Sequence, residues 1–111
     1  MKNTRPYLLP LTLAALLLAP PVHAEEPAAL ASIGFLNGMV LACKQPALAA
    51  RVREAVVSYA PKTREAGEVF EQATNMAFLG YGDGSVCPDA RTLSGKVDEA
   101  IADLKAAYNA K

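Results

Sequence analysis

From Ala28 to Cys43 the chain reads AALASIGFLNGMVLAC, an uncharged stretch in which Ser32 and Asn37 are the only polar side chains. Apolar residues fall on every side of the helix this stretch predicts, and such a helix belongs inside a protein rather than on its surface. It is shorter than the roughly 20 apolar residues that cross a bilayer. Gly34 and Gly38, four residues apart, open one face to close approach by another backbone, either of the same chain or of a second subunit. Further along, the pattern becomes amphipathic. Leu48, Val52, Ala55, Val56 and Tyr59 recur at helical intervals between Pro46 and Pro61, with Arg51, Arg53, Glu54 and Ser58 off the stripe. Pro46 suits the first turn of that helix, and Pro61 closes it and opens a third.

The third helix is expected to run from about Pro61 to Leu79, burying Ala66, Val69, Phe70, Ala73, Met76 and Ala77. Phe70, Met76 and Phe78 read as core packing. Gly80-Tyr81-Gly82-Asp83-Gly84-Ser85 then reads as a turn, its alternating glycines being poor helix formers. The last helix is expected over Leu93–Asn109, capped by Thr92, with Leu93, Val97, Ile101, Leu104 and Tyr108 forming the cleanest stripe of the chain. No alternating strand pattern and no internal repeat occurs. The pattern predicts an all-α fold, a small four-helix bundle built around the apolar N-terminal helix.

Residues 1–24 stand apart from this pattern. Lys2 and Arg5 precede the apolar run YLLPLTLAALLLA, and Val22 and Ala24 occupy the small-residue positions of a cleavage site. This is the form of a signal peptide, cut between Ala24 and Glu25. The expected mature chain is a single helical domain, residues 25–111, periplasmic in a Gram-negative source, with no stable membrane insertion after cleavage. Because Lys2 and Arg5 leave with the leader, eleven basic residues become nine against eleven acidic, a net charge of −2. No basic cluster marks a nucleic-acid surface.

The same cut removes His23, the only histidine. Without imidazole, Ser-His-Asp and Cys-His catalysis is excluded and zinc loses its usual ligands. The expectation is a protein without catalytic residues, without metal and without cofactor. Cys43 and Cys87, the only cysteines, read as one disulfide of an exported domain. A redox pair lacks the Cys-x-x-Cys spacing, and a copper(I) site adding Met39 has too few soft ligands. Calcium at Asp83, Ser85 and Asp89 does not match the spacing of an EF-hand. A phosphate loop would need its helix to begin within the glycines, where Val86, Cys87 and Pro88 intervene.

Gly34-Phe35-Leu36-Asn37-Gly38 followed by Ala42, and Cys87-Pro88 followed by Thr92-Leu93, Val97-Asp98 and Leu104, form two segments that resemble the small exported immunity proteins of the Rap/Tai kind. Those proteins protect bacteria from cell-wall amidases delivered by type VI secretion. The resemblance implies a small, exported, helical, disulfide-linked inhibitor. A fainter likeness, in length, helix content and one disulfide, is to periplasmic acid-stress chaperones. The leading functional expectation is therefore a non-catalytic protein that binds a protein partner, with Tyr81 and Asp83 at a glycine turn suited to enter a basic or histidine-lined cleft. A stress chaperone and a carrier of small apolar ligands are the alternatives, and a homodimer is one use of the glycine face.

Overall fold

The computed structural model describes residues 25–83 and 85–109, so the proposed leader lies outside the described residues. Four helices follow in order: α1 (Glu25–Ala42), α2 (Pro46–Tyr59), α3 (Arg64–Gly82) and α4 (Ala90–Asn109), with no strand among the described residues. α1 is the hub. It packs against each of the other three, and α2 also packs on α4, whereas α3 comes close to no helix but α1.

On one side of α1, the large apolar side chains do the packing. Leu30, Ile33 and Val40 meet Leu48, Ala49, Val52 and Ala55 of α2 and Leu93, Val97, Ala100 and Leu104 of α4 in one buried cluster. The stripes expected on α2 and α4 face this cluster, with Val56, Tyr59, Ile101 and Tyr108 half-buried at its margin. Across the other end of the core, the Tyr108 hydroxyl donates to the Glu26 backbone carbonyl (3.1 Å). Arg51 of α2 pairs with Asp98 of α4 on the surface.

On its other side α1 meets α3 almost without side chains. A Cβ at Gly34 would lie 2.7 Å from the Phe70 carbonyl oxygen, and one at Gly38 would fall on the Thr74 carbonyl oxygen and 2.7 Å from the Phe78 amide nitrogen. Both glycines therefore face α3 of the same chain. Because the contacts climb together, 34 with 70 and 73, then 38 with 74 and 77, the two helices run parallel. The seam has its own polar tie: Asn37 Nδ2 donates to Thr74 Oγ1 (3.3 Å), and Thr74 Oγ1 donates to the Gly34 carbonyl (3.1 Å). This accounts for the only buried polar side chain of α1.

The helix ends follow local chemistry. α1 stops with Lys44 at φ 60°, the Gln45 amide bonding to the Val40 carbonyl (2.8 Å) and the Lys44 amide to that of Leu41 (3.2 Å). That is the paired bonding of a Schellman ending, with lysine where glycine is usual. Pro46 then starts α2. α3 begins at Arg64, not Pro61, because the Thr63 hydroxyl accepts from the Ala66 amide (3.1 Å) and sets the first turn. α4 begins one turn earlier than its apolar stripe suggests: Asp89, not Thr92, is the cap, its carboxylate accepting from the Thr92 amide (2.7 Å). That bond, with a further one from the Thr92 side chain, holds the Asp89 carboxyl below the usual carboxylate range.

Two further expectations for α3 are corrected. The helix does not stop before the glycines but runs through Gly80 and Tyr81 to Gly82. Each interior glycine costs only about 1 kcal/mol relative to alanine, a penalty that the Tyr81 ring, edge-on to Phe35 at 6.5 Å, helps to offset. Second, Met76 is not in the core. Only Ala66 and Ala77 of α3 are buried, Val69 and Phe70 are half-buried, and Met76 and Phe78 are exposed.

Candidate functional site: the disulfide-tied end of α3

Cys43, just after α1, is bonded to Cys87, just before α4, with Cα atoms 5.8 Å apart. The bridge brings the segment after α3 beside the end of α1. Leu41 sits two residues before one sulfur and Val86 one residue before the other, while Gly38, a turn from Leu41, lies against the Phe78 backbone. The C-terminal turns of α3, the end of α1 and the 85–89 segment thus converge at one end of the molecule.

That end is apolar and open. Phe78 is 45% exposed, Met76 68%, Leu79 71% and Val86 89%, with Leu41 also exposed. Large side chains left in solvent at such a density are the usual mark of a contact surface. Composition carries a signal for it. Met76 and Leu79, three residues apart, share one side of α3 while Phe78 points to another, more than one helix stripe can bury against a single neighbour.

The two residues singled out from the sequence also lie here. Tyr81 is half-buried, its ring against Phe35, so its aromatic body braces the surface. Asp83 is exposed at the C-cap of α3, within 3.4 Å of the Ser85 hydroxyl, which in turn donates to the Gly80 carbonyl (2.9 Å). Asp89 is engaged in capping α4, so Asp83, Ser85 and Asp89 are each tied to local backbone or to one another. No grouping of three or more histidine, cysteine or acidic side chains suited to a metal occurs among the described residues. No histidine lies among them either.

A second feature is an open groove between α1 and α4, about 370 Å³, floored by Phe35, Leu36 and Met39 and rimmed by Lys96, Glu99 and Asp103. Ser32 and Asp103 also line a neighbouring groove of about 360 Å³ nearer the start of α1. Both grooves are lined by the Ser32 hydroxyl and the Asp103 carboxylate as well as by apolar side chains. Comparison with protein-family models, with curated proteins and with solved structures finds no match for this chain.

Proposed function

We propose that this chain is an exported, non-catalytic helical scaffold of the periplasm that binds a protein partner through the disulfide-tied end of α3. The observation that carries the reading is the set of large apolar side chains held in solvent there, Phe78 and Val86 above all. Exposed aromatic and aliphatic side chains of this kind are what interface centres are made of. Four helices packed as a compact bundle, removal of a leader ahead of Glu25 and a disulfide at the binding end would together give a rigid body with one adhesive tip.

Within this reading the specific form we favour is an immunity-type inhibitor that occludes a cell-wall amidase, as the resemblance of the Gly34–Ala42 and Cys87–Leu104 segments implies. The test is capture from periplasm and culture medium with the native protein, beside Phe78→Ser and Val86→Ser variants. A single enzyme recovered in one-to-one ratio, inhibited by the native protein and released by either substitution, is the expected result. Co-purified lipid with no protein would overturn the reading in favour of a small-ligand carrier. Suppression of client aggregation only at acid pH would overturn it in favour of a chaperone.

A further inference from the structure

The outer side of α3, facing away from α1, carries a pattern of its own that runs into the apolar end. Gln72, Met76, Leu79 and Asp83 are all exposed and follow one another at intervals of four, three and four residues, which places them on a single ridge. Ala66 and Ala77, the buried positions of α3, lie on the opposite side. Phe78, two residues from Met76, points to a different flank.

We infer that this ridge is the contact between two copies of the chain, paired as antiparallel helices about a two-fold axis. The order of chemistry along it, polar, apolar, apolar, polar, reads the same in both directions about a point between Ala77 and Phe78. A two-fold axis there sets Met76 against Leu79 of the second copy, twice. It also sets the Gln72 amide, a donor, against the Asp83 carboxylate of the second copy, an acceptor, again twice. Such self-complementarity is what an isologous interface requires. The parallel alternative would place Asp83 against its own equivalent, which repulsion disfavours. In the antiparallel register the acidic turns of α3, with Glu65, Glu68 and Glu71, extend past the end of the opposing helix instead of meeting one another.

Two further features favour a second copy as the occupant. α3 leans on α1 alone, so its outer side lacks the second neighbour that every other helix has. The donor and acceptor sit at opposite ends of one ridge at equal distances from its centre, a match that a second copy satisfies without any further adaptation. Pairing through this ridge leaves the flank that carries Phe78 uncovered, so the dimer would present two partner-binding tips.

Sedimentation equilibrium on protein purified from cells expressing the full chain tests the inference. The native protein is expected at twice the monomer mass. A Met76→Glu/Leu79→Glu variant is expected at the monomer mass, with unchanged helical circular dichroism because both side chains are exposed. Val57→Glu, an equally exposed change on α2, is expected to remain dimeric. A monomeric native protein, a Met76→Glu/Leu79→Glu variant that stays dimeric, or a Val57→Glu variant that falls apart as well would each overturn it. Capture of a partner, read separately on the same variant, keeps this inference distinct from the binding proposal: loss of the dimer with capture retained supports two surfaces.

Discussion

α3 and α4 are of similar length and similarly amphipathic, yet they are held in opposite ways. α4 inserts Leu93, Val97 and Leu104 fully into the core, so its adhesion comes from apolar side chains removed from water. α3 buries two alanines and lies backbone to backbone on Gly34 and Gly38, so its adhesion comes from the absence of side chains on its neighbour. The first contact fails when atoms are taken away and the second when atoms are added. The same difference explains why α3 has apolar side chains left over for other contacts.

Changes that break or sharpen this contrast differ in size. Replacing Cys43 and Cys87 together by serine releases a bridge across a sequence separation of 44 and is expected to cost about 4 kcal/mol in denaturant unfolding. Since the bridge fastens the end of α1 to the start of α4, hydrogen exchange should quicken first in the first turns of α4. Leu104→Ala is expected to cost about 3 kcal/mol, measured the same way, because it leaves a cavity in a site with no solvent exposure. Gly95→Ala, in α4 where an added Cβ meets nothing, is expected to stabilise by about 0.5–1 kcal/mol through helix propensity alone.

The smallest effect concerns pH. Burial, then the nearby Glu26 charge, raises the Tyr108 phenol above its ordinary value. The folded state thus holds its proton more tightly than the unfolded one. The resulting stability is complete below the ordinary phenol range near 10 and is lost as pH rises through the higher folded value. Unfolding curves of the native protein should therefore weaken at alkaline pH more than those of Tyr108→Phe, whose ring cannot ionise.

The two helices also differed in how far the sequence revealed them. Every position of the α4 stripe from Leu93 to Tyr108 was legible, because burial by side chains leaves a period of 3.6 in the sequence. The α2 stripe was legible for the same reason, and the pairing of Cys43 with Cys87 followed from there being no other cysteine. On α3 the sequence pattern misplaces Met76, Phe78 and both ends. Its packing face is written on α1, as Gly34 and Gly38, and its own apolar residues exceed what one neighbour can cover. The glycines at 80 and 82 read as a turn because local propensity does not register the Phe35–Tyr81 contact, which lies beyond local sequence. Asp89 is masked as a cap in the sequence because Thr92 stands nearer the first apolar residue of the stripe. At the candidate tip the sequence pattern marks Asp83 as an exposed position, whereas Tyr81 is half-buried on Phe35 instead of standing on an open turn, and the exposure of Phe78 depends on which neighbour α3 lacks.

The contrast between the two contacts is tested most directly by Gly38→Ala, compared with Gly67→Ala on the open side of α3, in denaturant unfolding with helix-resolved hydrogen exchange. The added methyl at position 38 meets the backbone of Thr74 and Phe78, so a loss of about 2 kcal/mol is expected, with protection lost first in α3. At position 67 nothing lies in the way, and a gain of about 0.5–1 kcal/mol is expected. Equal gains at both positions, with α3 as protected as before, would contradict the account.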